Sequence, residues 1–293
     1  MKRFSFLLIL ALLIVPLGGC SAPETADIAA TTLPVYEFTA RLCQGTGLKV
    51  TQLVTEQVSC LHDYSLQVSQ MQAVSAAQVI VQSGAGLEDF LSDALSASDG
   101  VLIDASAGIA LLEGGCHHDH DHDHEHTHVQ DNHIWLSPAN AKIMAQNICD
   151  GLSAQYPAHS QAFASNLKML WEDLDILQAY GQNTLKDLSC RQLVTFHDGF
   201  AYFAEAFDLE ILYAVEEESG SEASAQLLKD LITTVKAQQL PAIFTEKNGS
   251  TAAAQVICRE TGVKSYTLDM AMAGHSYFDA MYHNIDTIKE ALG

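Results

Sequence analysis

The chain has 293 residues, of which 48% are hydrophobic and 17% charged. This balance excludes an intrinsically disordered protein and provides the apolar side chains of a large core. Fourteen Lys and Arg against 36 Asp and Glu give a formal net charge of −22, which would repel a phosphate backbone over most of the surface. We therefore expect no nucleic-acid partner.

The N-terminus has the pattern of an export signal. Met1-Lys2-Arg3 precedes an apolar run from Phe4 to Leu17 that is too short for an ordinary membrane span. Leu17-Gly18-Gly19-Cys20 resembles the bacterial lipobox, in which the cysteine is lipidated. The sequence thus predicts a signal peptide over 1–19, a lipidated Cys20, a tether over 20–27 and an extracytoplasmic protein held on the membrane by lipid.

Two alternations of strands and helices follow the tether. Strands are predicted at Ile28–Thr32, Leu48–Val54, Gln78–Gln82 and Val101–Asp104, with helices starting near Pro34, Ser69, Leu87 and Pro138. The second series has strands at Leu193–Thr195, Glu210–Ala214, Ala242–Thr245 and Lys264–Leu268, with helices near Gly199, Ser224, Thr251 and Tyr277. This alternation predicts an α/β fold with two lobes, 28–156 and 190–293, each built on a mostly parallel four-stranded sheet flanked by helices.

A long helical pattern separates the two series. Apolar residues recur at helical spacing from Ala158 to Leu188, which corresponds to a helix about 45 Å long. Such a helix is longer than a single lobe needs. We therefore expect 157–189 to form one rigid helix that joins the lobes.

Four side chains that can bind a metal follow or adjoin predicted strands. They are His62, His133, His197 and Asp269. Ligands of parallel α/β sheets collect beyond the carboxyl ends of the strands, and the spacing within each pair is nearly equal, 71 and 72 residues. Each lobe would thus present two ligands to a cleft between the lobes. Three imidazoles and one carboxylate suit tetrahedral Zn²⁺. Taken singly, each His could instead be a hydrogen-bonded imidazole and Asp269 a helix cap.

Several motifs resemble the metal-binding lipoproteins of bacterial zinc and manganese ABC importers. They are Cys60-Leu61-His62-Asp63-Tyr64-Ser65-Leu66, Gly84-Ala85-Gly86-Leu87-Glu88, Asp131-Asn132-His133-Ile134-Trp135-Leu136-Ser137-Pro138, Thr195-Phe196-His197-Asp198-Gly199-Phe200-Ala201-Tyr202-Phe203, Phe244-Thr245-Glu246 and Tyr266-Thr267-Leu268-Asp269. The resemblance covers the chain from about Ala29 to its end and implies the same four metal ligands. It further implies a monomeric, non-catalytic binding protein that delivers its metal to a membrane permease powered by an ATPase.

Departures from the family pattern bear on the choice of metal. Leu61 stands where some zinc members carry an acidic residue, which favours Asp269 as the fourth ligand. His197 stands where manganese members tend to have Glu, which favours the zinc branch, with Zn²⁺ as the transported substrate. Glu246 is interpreted as an outer acceptor for a ligand or as a structural residue. The alternatives are a manganese-binding homologue, a metal-binding surface adhesin and a zinc hydrolase. The hydrolase is disfavoured because Asp269 would close the open zinc position, and because the chain has neither HExxH nor G-x-S-x-G.

A second group of histidines lies between Gly115 and His133. Seven occur among acidic residues with no apolar neighbour, at His117, His118, His120, His122, His124, His126 and His128. We expect 117–128 to be a mobile loop that binds zinc weakly and collects it near the cleft. A solvated acidic linker is the alternative.

Six cysteines besides Cys20 allow 15 pairings. Their positions at the two edges of the predicted lobes favour three disulfides, and export permits oxidation. The predicted pairs are Cys60–Cys116, Cys43–Cys149 and Cys190–Cys258. The alternative is that all six stay reduced as small apolar residues.

Overall fold

A computed structural model describes residues 26–56, 61, 64–114, 130–215 and 223–293. The first lobe contains β1 (Ile28–Ala30), β2 (Val50–Gln52), β3 (Val79–Gln82) and β4 (Val101–Asp104), in the spatial order β2-β1-β3-β4. The second contains β5 (Gln192–Thr195), β6 (Glu210–Ala214), β7 (Ala242–Glu246) and β8 (Lys264–Leu268), in the order β6-β5-β7-β8. Every pairing between these strands is parallel. The second lobe thus repeats the arrangement of the first, and the predicted fold class is confirmed.

Helices cover the sheets close to the positions where the sequence predicts them, except that the helix predicted near Leu87 begins later. They are α1 (Leu33–Leu42), α2 (Val68–Ala76), α3 (Ser92–Ser96), α4 (Pro138–Gln155), α5 (Ser160–Leu185), α6 (Ala201–Ala206), α7 (Ala225–Gln238), α8 (Ala252–Thr261) and α9 (Tyr277–Leu292). Pro34 and Pro138 lie in the first turns of α1 and α4, where a missing N–H costs nothing. No helix in the described part of the chain is both long and apolar enough to cross a membrane.

The predicted linking helix is α5. Its 26 residues span about 39 Å and bury one apolar stripe that includes Phe163, Leu170 and Leu177. This stripe packs against α1 and α4 of the first lobe and against α9 of the second. Because no proline interrupts α5, the helix has no built-in hinge.

The two lobes also share one hydrophobic core. Phe38 from the first lobe packs edge-on against Tyr277 from the second, with ring centroids 5.0 Å apart. The indole N–H of buried Trp135 donates to the Met270 carbonyl at 2.8 Å, and the Tyr277 hydroxyl donates to the Trp135 carbonyl at 2.8 Å. Separating the lobes would expose this core and break these buried hydrogen bonds.

A buried carboxylate fixes the turn after β3. Glu88 accepts hydrogen bonds from the Thr31 hydroxyl at 2.6 Å and from the main-chain N–H groups of Ser83 and Gly84 at 2.6 and 3.0 Å. Burial is the largest influence on Glu88 and raises its pKa to about 7, although these three hydrogen bonds oppose the rise. The helix predicted near Leu87 is displaced by this turn, so that a short 3₁₀ turn at Asp89–Leu91 precedes α3.

The described cysteines correct part of the disulfide prediction. Cys43, Cys149, Cys190 and Cys258 are free thiols, which disagrees with the pairs Cys43–Cys149 and Cys190–Cys258. Two cysteines can lie at the same edge of a lobe without having the short sulfur–sulfur distance and the fixed dihedral angle that a disulfide needs. Burial is the main cause that raises the pKa of Cys43 to about 12, as expected of an inert core thiol. The third pair, Cys60–Cys116, lies outside the described residues, as do the signal segment 1–19, Cys20 and most of the tether.

Candidate metal-binding site

His133 lies at the entrance to α4, in the first lobe. It directly precedes the 3₁₀ turn Ile134–Leu136, and its residue is only 3% exposed. The Asp131 carboxylate holds the imidazole, with Oδ1 2.8 Å from His133 Nδ1, and the same oxygen accepts the His133 main-chain N–H at 2.9 Å. A proton on Nδ1, facing the carboxylate, leaves the lone pair on Nε2 for a metal.

His197 comes from the second lobe, two residues after the end of β5. It is 2% exposed, and its Nδ1 lies 3.7 Å from Oε2 of Glu246, the last residue of β7. Gly199 gives the two imidazoles room: a Cβ there would lie 2.8 Å from His197 Cδ2 and 2.9 Å from His133 Cε1. The turn after β5 therefore packs directly on the pair of rings.

The two imidazoles approach each other through their Nε2 atoms. These nitrogens are 3.3 Å apart, and the rings are nearly perpendicular, at 89°. Two nitrogens bound to one tetrahedral zinc at about 2.0–2.1 Å would lie about 3.3 Å apart. The pair thus has the spacing of two ligands of a single zinc ion, with one ligand from each lobe.

Asp269 follows β8 in the second lobe and contacts a lysine. Its Oδ2 lies 2.8 Å from Lys247 Nζ, and its Oδ1 accepts the Ala271 N–H at 2.9 Å. The buried Asn284 side chain fixes the Asp269 backbone, because it accepts the N–H and donates to the carbonyl, each at 2.7 Å. The side chain of Asp269 is 14% exposed.

The described residues bring together two of the four predicted ligands, His133 and His197. They contain no group of three His, Cys, Asp or Glu side chains arranged to hold a metal. His62 and the histidines of 117–128 lie outside them, and Asp269 is engaged with Lys247. The full ligand set therefore stays a prediction.

Three residues of the site were not assigned their roles by the sequence analysis. Asp131 orients His133, and its spacing in Asp-x-His was the available signal, because a ring nitrogen can reach a carboxylate two residues away. The only sequence signal for Gly199 was its position two residues after His197. No sequence signal indicated the role of Lys247, because the pairing of β7 with β8 is what brings it to Asp269.

The base of the segment that contains the histidine run is close to His133. Glu113 and Gln130 form an antiparallel bridge, and the Asp131 N–H donates to the Leu112 carbonyl at 3.0 Å. The Tyr202 hydroxyl of the second lobe ties both sides together, because it accepts the Leu112 N–H at 2.9 Å and donates to the Asp131 carbonyl at 3.0 Å. The described chain thus resumes at Gln130, one residue before Asp131 and three residues before His133.

Two similar α/β lobes, a linking helix and a pair of buried imidazoles, one from each lobe, define a solute-binding protein for a metal ion. The chain belongs to the family described as zinc-uptake complex component A, periplasmic (ZnuA), whose model matches residues 28–291. The predicted resemblance is thereby confirmed. This is a family of transport proteins that bind a solute, not a family of enzymes.

Individual relatives agree with this assignment. The high-affinity zinc uptake system protein ZnuA of Bacillus subtilis is 29% identical over 315 residues, with 99% of this chain and 98% of that protein covered. The zinc-binding lipoprotein AdcA of Streptococcus pneumoniae is 30% identical over 309 residues, but this chain spans only 61% of its length. A zinc-bound crystal structure of a ZnuA deletion mutant has a TM-score of 0.78 at 29% identity, and covers 92% of this chain and 99% of its own.

Proposed function

We propose that this protein captures Zn²⁺ between its two lobes and delivers it to an ABC-type zinc importer. The observation that carries the proposal is the 3.3 Å separation of the Nε2 atoms of His133 and His197. We assign His62, His133, His197 and Asp269 as the ligands. Family membership and the zinc-binding names of the relatives support the same metal.

The ligand chemistry favours zinc over manganese. Three imidazoles and one carboxylate form a nitrogen-rich set of borderline softness, whereas Mn²⁺ prefers sets rich in oxygen. The carboxylate beside His133 Nδ1 makes that ring a stronger ligand and fixes its orientation. A related structure at 25% identity, the solute-binding protein FpvC, is described in complex with Ni²⁺, so competition with nickel belongs in the test.

Zinc binding by single-site variants tests the ligand set. His133→Ala and His197→Ala should each weaken zinc binding by at least about 100-fold in a chelator competition, because each removes one of the four side chains that bind the metal directly. His159→Ala and His283→Ala are matched controls, since neither residue lies in the site. Affinity should also fall as pH is lowered, because a proton and zinc compete for the same nitrogen. Equal losses in all four variants would reject the assignment.

The histidine run 117–128 is proposed to collect zinc at low affinity beside the site. Support comes from two described residues that flank the run in sequence, Glu113 and Gln130, which form a bridge next to Asp131. Deleting 117–128 should leave one tight zinc, remove the weak binding seen by calorimetry, and slow uptake only when zinc is scarce. Loss of the tight site would mean that the run supplies a primary ligand. Unchanged weak binding and unchanged uptake would favour an acidic linker.

The remaining parts of the proposal concern the protein in the cell. The chain acts as a monomer outside the cytoplasm, anchored by a lipid on Cys20, and it partners a membrane permease and its ATPase. It catalyses no reaction of its own, so generic ester and peptide substrates should not turn over. Zinc-limited growth of a deletion strain distinguishes import from adhesion, because loss of an adhesin alone would leave growth unchanged. Mass spectrometry of the membrane-extracted protein would detect the lipid.

A further inference from the structure

Lys247 is the residue of the site that zinc capture does not explain. It follows Glu246 at the end of β7, and its ammonium lies 2.8 Å from Asp269 Oδ2. The Lys247 side chain is 45% exposed, whereas that of Asp269 is 14% exposed. A cation thus already occupies one oxygen of the carboxylate that we assign as the fourth zinc ligand.

The surroundings restrict how Asp269 can reach zinc. Its backbone is fixed by Asn284, which is fully buried, and the next carbonyl, that of Met270, accepts the Trp135 indole N–H at 2.8 Å. These hydrogen bonds oppose a movement of the backbone that would carry the carboxylate toward the imidazoles. A turn of the Asp269 side chain disturbs the backbone less, and we expect such a turn to break its contact with Lys247.

Lys247 is well suited to give up this contact. Its backbone is held by β-sheet geometry, because the Lys247 N–H donates to the Leu268 carbonyl at 2.8 Å. Beyond the backbone it has a flexible four-carbon stem, and a half-exposed ammonium is readily rehydrated. Withdrawal into solvent therefore costs little, and an ion pair of this exposure is weak.

We infer that Lys247 is a displaceable counter-ion that holds Asp269 in the zinc-free protein and competes with zinc for its carboxylate. The residue thereby lowers zinc affinity and favours release. The inference rests on the proposed function, specifically on Asp269 as a ligand. It assigns Lys247 as a positioning residue that acts through Asp269 and does not touch the metal.

The test measures zinc affinity of the full mature chain by competition with a chelator. Lys247→Met should tighten binding about two- to fivefold, the range expected for loss of one partly exposed ion pair. Lys247→Arg keeps the charge and should bind zinc as the original protein does. Lys186→Met is the matched control, because the Lys186 side chain is likewise largely solvent-exposed and paired with an acid, Asp187, but lies before β5, away from the site.

A second arm separates this inference from the ligand assignment. Asp269→Asn should weaken zinc binding, and adding Lys247→Met to it should produce no tightening, because the carboxylate that the lysine held is gone. If Asp269→Asn weakens binding but Lys247→Met alone does not tighten it, the lysine is not a competitor while the ligand set stands. If Asp269→Asn leaves the zinc affinity unchanged, Asp269 is not a ligand and the inference about Lys247 is wrong. In that case, the His133 and His197 variants still decide whether the protein binds zinc.

Discussion

Gly199→Ala should weaken zinc binding without removing any ligand. The added Cβ would lie 2.6 Å from Met270 Cε, 2.8 Å from His197 Cδ2 and 2.9 Å from His133 Cε1. Carbon atoms in ordinary contact are about 3.5–4.0 Å apart, so the neighbours would have to move by about 0.6–0.9 Å. Met270 can move the end of its flexible side chain. His133 cannot follow easily, because Asp131 holds its Nδ1 at 2.8 Å.

The size of the effect follows from how strictly zinc limits its ligand distances. A shift of more than about 0.2 Å takes a nitrogen outside the normal range of a zinc bond. Displacing one imidazole should therefore cost about 10- to 100-fold in affinity, as does loss of the groups that orient a ligand. That range corresponds to about 1.4–2.7 kcal/mol. Overpacking should also reduce the free energy of unfolding by about 1–3 kcal/mol.

Gly151→Ala provides the matched control for this variant. A Cβ on Gly151 would lie 2.7 Å from Ile103 Cδ1, a clash comparable to that at Gly199, but on α4 and away from the imidazoles. Both variants would be compared by thermal melting without zinc and by chelator competition with zinc. Gly151→Ala should alter only the melting. If Gly199→Ala binds zinc within twofold of the original protein, the spacing of the two rings does not set the affinity.

Three further predictions concern the frame around the site. The unfolding free energy of the original protein relative to Glu88→Gln should fall as pH rises from about 4.5 to about 7. The reason is that the pKa of Glu88 is raised to about 7 in the folded protein, so the folded state binds the proton more tightly than the unfolded state does. An unchanged difference in unfolding free energy between the two proteins at all pH values would contradict this. Tyr277→Phe should lower stability by about 1–3 kcal/mol in urea, because it leaves the buried Trp135 carbonyl without its hydroxyl donor. Small-angle scattering should show only a slight compaction on zinc binding, because α5 packs on both lobes, whereas a large change in radius would show that the lobes hinge.

The order of strands and helices could be predicted because each local pattern agreed with the sheet that it forms. Glu210–Ala214 and Lys264–Leu268 have the predicted bounds, and every sheet pairing is parallel, as the alternation of strands and helices indicated. The run Leu48–Val54 was longer than the strand it contains, Val50–Gln52. That strand lies at the edge of its sheet and pairs on one side only, so its ends lack partners that would extend it.

The site was only partly predictable for a different reason. His197 follows β5 and His133 precedes α4, and they could be placed together because strand ends and helix starts of parallel α/β units share one edge, a rule that needs no side-chain detail. The pairing of Lys247 with Asp269 depends on the register of β7 against β8, where Glu246 lies opposite Leu268. The free thiol of Cys149 depends on distances that topology does not fix. The topology of a parallel sheet therefore predicts which residues lie at the same edge, but not which of their side chains are in contact.

The shared core of the lobes limits how this protein can couple zinc to its surroundings. Trp135 and Tyr277 join the lobes through buried hydrogen bonds, and Trp135 also holds the carbonyl that follows Asp269. A wide opening of the cleft would break these contacts and expose the rings packed around them, at a cost far greater than that of moving one partly exposed lysine. We therefore expect the response to zinc to be a local exchange of charged partners at Asp269, with the backbone of the two lobes nearly unchanged. We expect the preorganised imidazoles of His133 and His197 to contribute to the free energy of capture, since their Nε2 atoms already have the spacing of two zinc ligands.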